Sequence, residues 1–281
     1  MGVMNKGRWY DQWYDTESNG GKFIRTDAAF RRQVTADGSS GFQLEPKMYH
    51  LYVSYACPWA HRTLIARKLK KLDDYISISV VDPLMRENGW TFSNQTHLEQ
   101  DSVNQVNFLY QIYSMADPHY SGRVTVPILW DKKKMTIVNN ESSDIMRMFN
   151  DVFNKYGDSS IDLYPLKHRK EIDQFNELIY ENVNNGVYKA GFATSPEAYE
   201  EAFKALFKTL DMLEKHLGSN KYLVGERPTE ADWRLFTTLV RFDAVYYNHF
   251  KCNRNRLIDF DNLWAYTRQL YQYPGVAETI N

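Results

Sequence analysis

A chain of 281 residues has room for two domains of ordinary size, and 43% hydrophobic with 25% charged residues is a soluble globular composition. The net charge is −1, and the basic clusters Lys68–Lys71 and Lys132–Lys134 are short and lack interleaved aromatics, which argues against a nucleic-acid platform and reads as solvated faces. No uncharged run approaches the ~20 residues of a membrane span, and the start, Met1 to Lys6, has no apolar core for a signal peptide.

Two cysteines, Cys57 and Cys252, do not make a disulfide framework, so a reducing cytoplasm fits best. The 20 Tyr, 15 Phe and 7 Trp make 15% of the chain, and much of this must be core packing. A surplus of tyrosine supplies aromatic walls with phenolic donors for a flat ligand.

Residues 1–46 show neither helical nor strand periodicity for long. Arg8-Trp9-Tyr10 and Gln12-Trp13-Tyr14 read as an arm whose rings favour an ordered wrap over a mobile tail, and Asp37 to Gly41 reads as a turn. Leu51 and Val53 then alternate with more polar neighbours as in a half-buried strand, and a helix follows near 58–70. Cys57 stands at the joint. Pro58 suits the first helical position, which makes Cys57 the N-cap, its sulfur facing the unpaired N–H groups of the first turn. The positive end of the helix dipole favours thiolate over thiol, and such placement lowers a cysteine pKa from about 8.5 into roughly 3.5–7.5. The competing reading is a buried structural cysteine. Ala60 occupies the third position after Cys57, so a dithiol motif is absent and any redox chemistry needs an external thiol.

Ile76–Val81 alternates as a second strand, completing a βαβ unit. Residues 82–102 are polar and irregular, with Trp90 either folded back on the core or held for a ligand. Val103–Ala116 reads as a helix. Arg123–Trp130 and Met135–Val138 read as a hairpin across a turn at Asp131–Lys134, and the proline inside its first strand points to a cis Val126-Pro127 bond. Ser142 falls at the start of the next helix, where backbone N–H groups can hold a carboxylate. The order β-α-β-α-β-β-α is that of a thioredoxin fold.

The stretch Gly157–Pro165 marks a boundary, and strand signals almost disappear beyond it. Arg169–Tyr188 is a long amphipathic candidate. Ser195-Pro196 opens a helix whose stripe of Tyr199, Phe203, Leu206, Phe207, Leu210, Leu213 and Leu217 is best explained as core, closed by Gly218. Thr229 with Asp232 makes a capping box for an apolar helix, the chain runs on through Phe242–Phe250, and a last helix covers about Asn262–Tyr273. His249 and Cys252 do not by themselves make a metal site. The domains expected are an aromatic-rich extension (1–46), a thioredoxin-like α/β domain (47–150), a linker (151–166) and an all-α domain (167–281).

A thioredoxin-like half with a thiolate at a helix start, followed by an all-helical half with a Thr-x-x-Asp box, resembles the glutathione transferase superfamily. The Trp-Tyr-rich arm, Ala56-Cys57-Pro58-Trp59-Ala60, Gly89-Trp90, Val126-Pro127, Glu141-Ser142, Gly186 to Phe192 and Arg241 to Tyr247 together look like its Xi class, the S-glutathionyl-hydroquinone reductases, over almost the whole chain. The resemblance implies the glutathione transferase fold, Cys57 as nucleophile, and Trp90, Arg123, Val126, Pro127, Glu141 and Ser142 as the glutathione site. In that site Trp90 is an apolar lid, Arg123 a cation for a carboxylate, and Glu141 with Ser142 the holders of the γ-glutamyl end. Tyr188 and Tyr246 match the tyrosines of the hydroquinone pocket, where the reading from pattern alone is ordinary core aromatics. Glutathione is implied as co-substrate, with no metal, no nucleic acid, no membrane and a homodimeric state. The family pattern also implies a tail beyond Asn281 with a further pocket tyrosine. Two other readings stand beside this one: an omega-like thioltransferase or dehydroascorbate reductase, which shares Cys57, and a non-catalytic binding module.

Overall fold

The computed structural model describes residues 2–92 and 100–281, so part of the irregular stretch expected over 82–102 lies outside the described residues. The chain divides into two compact units. The first comprises Met1–Trp13, Thr26–Ile161 and Glu278–Asn281; the second comprises Tyr14–Arg25 and Asp162–Ala277. The residues expected as one extension are thus shared between the two.

In the first unit β1 (Val3–Asn5) and β2 (Arg8–Tyr10) form a short antiparallel hairpin in the segment expected to lack strands. β3 (Tyr49–Val53), α1 (Pro58–Leu69) and β4 (Ser77–Val80) form the expected parallel βαβ unit. α2 (Leu109–Ala116), β5 (Gly122–Arg123), β6 (Ile128–Asp131), β7 (Thr136–Asn139) and α3 (Ser142–Asn150) follow. The main sheet runs β4-β3-β6-β7, with β6 antiparallel to both neighbours, and α1 packs against α3. This is the thioredoxin-like arrangement.

Three further elements of this unit differ from expectation. β3 is buried along its whole length rather than half-buried, because His50 and Tyr52 find polar partners inside: His50 Nδ1 lies 2.8 Å from Ser77 Oγ, and the Tyr52 hydroxyl donates to Asp101 at 3.0 Å. The helix expected from Val103 starts only at Leu109. Asp101 accepts the backbone N–H groups of Val103 and Asn104 at 3.1 Å each, and this side-chain alternative to helical bonding holds the segment open. The strand expected over Arg123–Trp130 is broken. Arg123 pairs with β1 in a separate sheet, order β2-β1-β5, and the hairpin begins only at Ile128, since Pro127 has no N–H to give a ladder.

The second unit is helical: α4 (Arg169–Ile179), α5 (Gly186–Gly191), α6 (Pro196–Leu217), α7 (Glu230–Leu239) and α8 (Asp261–Tyr271), with α5 and α8 packed on α6 and α4 on α7. The helix expected over Arg169–Tyr188 is interrupted by a π-turn, Tyr180–Asn184, closed by Asn185 N–H donating to Tyr180 C=O at 2.9 Å. The extra residue brings Asn184 inward, where its amide donates to Arg234 C=O at 3.0 Å and Thr238 Oγ1 at 2.8 Å. The segment Tyr14–Arg25 lies on this unit: Thr194 N–H donates to Gly21 C=O at 3.0 Å, and Gly21, at φ +82°, leaves no room for a Cβ, which would sit 2.4 Å from Ser195 Oγ.

Candidate active site

Cys57 is the N-cap of α1, Pro58 is the first helical residue, and His61 N–H donates to Cys57 C=O at 3.0 Å. The side chain is half-buried, so it is neither walled off nor freely solvated. Its sulfur makes no capping bond to the first turn, contrary to the expected arrangement; the thiol donates instead toward the Val126 carbonyl at 3.6 Å. The N-terminus of α1, the positive end of its dipole, lies beside the residue. Cys252 has the opposite character. It is fully buried, and burial pushes its thiol up to about 12, which leaves almost no thiolate at neutral pH.

The other expected glutathione-site residues of the first unit fall into two groups. Val126 and Pro127 lie just before β6, outside its ladder, with a cis peptide bond between them as expected. The Val126 main chain is what the Cys57 sulfur touches. Glu141 is the N-cap of α3 and Ser142 its first residue. Glu141 Oε1 accepts from Ser143 N–H at 3.0 Å, Ser143 Oγ at 2.9 Å and Ser142 Oγ at 3.3 Å. Because these bonds fall on one oxygen, the carboxylate fixes the helix start while Oε2 stays out of the cap.

Trp90 and Arg123 are placed less simply. Trp90 is 8% exposed, and its carbonyl accepts Leu109 N–H at 2.9 Å, so its backbone opens α2. The adjacent Gly89, at φ +64°, leaves room for the Trp9 ring; a Cβ there would meet that ring at 2.7 Å. Trp9 itself stacks on Tyr110 with ring centroids 5.1 Å apart, so this part of the arm is an ordered wrap. Arg123 directs its guanidinium to the carbonyls of Gln12 and Trp13, the latter at 2.9 Å. It therefore secures the arm as well as offering a cation.

Tyr188 and Tyr246 come together in the second unit, from α5 and the π-turn Phe242–Tyr246. Their rings meet edge-on with centroids 5.9 Å apart, and Phe250 closes the cluster at 5.2 Å from Tyr188 and 5.3 Å from Tyr246. Tyr246 is 1% exposed whereas Tyr188 is half-buried. Among the described residues no group of three or more His, Cys, Asp or Glu is placed to hold a metal ion, and no helix is long and apolar enough to cross a membrane.

Two organising residues escaped the sequence reading. Arg62, on α1 and 1% exposed, lies over the Trp59 ring at 4.3 Å and donates to Ser142 Oγ at 3.3 Å, tying the cysteine helix to the start of α3. Tyr113, fully buried on α2, donates to Thr125 C=O at 2.9 Å and accepts from Asn140 Nδ2 at 3.0 Å, holding the approach to Val126 against the approach to Glu141. The tyrosine surplus was the available signal for the second. Nothing in local spacing marked the first.

Comparison with known proteins agrees with this architecture. The family model described as glutathione S-transferase, N-terminal domain, matches residues 56–152, and that of the C-terminal domain matches 196–269. The chain is similar to glutathionyl-hydroquinone reductase YqjG of Escherichia coli (strain K12), with 57% identity covering 100% of this chain and 88% of the relative. The glutathione-bound structure of that protein superposes with a TM-score of 0.88 over 90% of this chain and 84% of the other. Glutathionyl-hydroquinone reductase PcpF of Sphingobium chlorophenolicum is 53% identical over 100% of this chain and 88% of its own length. A Xi class transferase from Natrialba magadii gives 48% identity and a TM-score of 0.92, covering 100% of this chain and 85% of that one. With a thioredoxin-like unit that carries a helix-capping cysteine, a helical unit that carries paired tyrosines, and these relatives along its whole length, the chain belongs to the Xi class of the glutathione S-transferases, the glutathionyl-hydroquinone reductase family.

Proposed function

We propose that the protein reduces S-glutathionyl-hydroquinones to hydroquinones with glutathione as co-substrate, through a Cys57–glutathione mixed disulfide. The observation that carries this reading is the half-buried Cys57 at the N-cap of α1, in contact with the main chain of the residue before Pro127. In the first half-reaction the Cys57 thiolate attacks the sulfur that joins glutathione to the ring. An S–S bond forms as the ring C–S bond breaks; the ring carbon keeps the bonding pair and takes a proton, with Tyr188 or Tyr246 as donor. The sulfur is oxidised and the ring reduced by two electrons. In the second half-reaction a glutathione thiolate attacks the mixed disulfide, releasing oxidised glutathione and restoring Cys57.

The glutathione site would use the Val126 main chain for the peptide, Trp90 as an apolar lid, and Arg123 for a carboxylate. Glu141 Oε2 would take the γ-glutamyl amino group, with Ser142 and the N–H groups of α3 on its carboxylate. What supports these roles is the open Oε2 of the cap and the position of Val126 outside the ladder. The same reading puts the protein in a reducing cytoplasm, which its free cysteines suit, and makes it a homodimer, which rests on family resemblance. Mass spectrometry after exposure to a glutathionyl hydroquinone without added thiol tests the scheme. One glutathionyl group on Cys57 is expected. No adduct, or rapid turnover of a small glutathione mixed disulfide with none of the hydroquinone, would contradict it.

A further inference from the structure

We propose that Arg25 is a positioning residue for Tyr188, setting the ring and stabilising the negative charge its phenol acquires when it gives a proton to the leaving hydroquinone carbon. The inference rests on the reading above. Arg25 closes the segment Tyr14–Arg25, which belongs to the helical unit although it stands far from it in sequence. That segment is anchored along its length. Ser195 Oγ donates to Gly20 C=O at 3.1 Å, Lys22 pairs with Glu201 at 2.7 Å, and Phe23, 3% exposed, packs edge-on against Phe192 at 5.3 Å. The anchored chain delivers the guanidinium over Tyr188, with Cζ 5.0 Å from the ring centroid, while Nε donates to Asn185 Oδ1 at 2.7 Å.

Each part of this geometry has a consequence. The Asn185 bond aims the guanidinium, because Asn185 immediately precedes the helix that carries Tyr188. The rings of Phe192 at 5.7 Å, Tyr246 at 5.9 Å and Phe250 at 5.2 Å also pack against it. A cation against the ring attracts its π-face in the resting state and attracts the phenolate more strongly once the proton has left. Lys189, the next cation along α5, is already paired with Glu181. Tyr188, half-buried beside the buried Tyr246, is the phenol of the pair that a substrate can reach. The N-terminal segment is on this account part of the aromatic-substrate apparatus.

The test compares Arg25→Met and Arg25→Lys on a glutathionyl hydroquinone and on a small glutathione mixed disulfide, whose reduction leaves no ring carbon to protonate. For Arg25→Met, kcat on the hydroquinone should fall about fivefold to tenfold, the fold-change that a partly desolvated cation over an aromatic face corresponds to. KM for glutathione should not move, and the rate on the small disulfide should change less than about twofold. Arg25→Lys should recover at least half of the loss, and Arg25→Met introduced beside Tyr188→Phe should add no further loss. Equal losses on both substrates, no rescue by lysine, or a full additional loss beside Tyr188→Phe would overturn the inference while leaving the Cys57 chemistry intact. A wild-type protein that reduces only the small disulfide would overturn the hydroquinone reading and this inference with it.

Discussion

Residues whose positions the fold makes expensive to ionise give the clearest consequences for pH. His50 lies on the fully buried central strand β3, and burial, assisted by the charges of Lys132 and Arg67, pushes its imidazole down from 6.5 to about 3. Below pH 6.5 the unfolded chain takes up a proton at this position that the folded chain refuses. Stability is therefore complete above pH 6.5 and drains away as pH falls toward 3, by on the order of 4 kcal/mol from this group alone. Urea midpoints measured from pH 7 to pH 4 should fall more steeply for the wild type than for His50→Gln, which keeps an amide for Ser77 but has no proton to gain. Parallel slopes would show that His50 does not drive the loss. Site residues were legible to different depths. Cys57 announced itself through its strand, its proline and its helix. The direction of its sulfur did not, because the carbonyl it meets belongs to Val126, brought near by the sheet. Arg123 was legible as a cation, but not its engagement with Gln12 and Trp13, since backbone carbonyls leave no mark in a residue pattern.

Elements were legible where their stabilising contacts are local. The capping box at Thr229 and Asp232 is the plainest instance: Asp232 Oδ2 accepts Thr229 N–H at 2.7 Å and Thr229 Oγ1 at 2.9 Å. Its other oxygen takes Leu223 N–H at 2.9 Å and the Tyr266 hydroxyl at 2.8 Å. That second half was invisible from sequence, and it turns a helix cap into a buried junction of α7, α8 and the preceding loop. Asp232→Ala leaves four buried donors without an acceptor and should cost on the order of 3 kcal/mol or more, whereas Thr229→Ala removes one donor and should cost about 1 kcal/mol. Chemical denaturation of both variants decides this; equal costs would mean that the box acts only as a cap. Elements set by distant partners were misread for the same reason. The helix from Val103 loses its first turns to Asp101, and the strand from Arg123 is divided by pairing with β1, which lies at the other end of the unit's sequence.

For the molecule as a whole, the number of sulfurs that can take part sets the order of the reaction. The family fold supplies a site for glutathione, but the chain has one accessible cysteine, and its second is sealed with a thiol pushed up to about 12. A dithiol enzyme could discharge its mixed disulfide internally and turn over with any external reductant. On the proposed scheme the glutathionyl group remains on Cys57 until a second thiol arrives, and the hydroquinone has left by then. That scheme is ping-pong: substrate in, hydroquinone out, glutathione in, oxidised glutathione out. Initial rates with both substrates varied should give parallel lines in double-reciprocal form. Without glutathione, the reaction should stop after about one equivalent of hydroquinone per protein, the stoichiometry of a single nucleophile. Converging lines would mean that both substrates are bound before chemistry begins. Release of two equivalents without added thiol would require Cys252 to resolve the disulfide, and that would contradict both its burial and the single-sulfur chemistry derived from it.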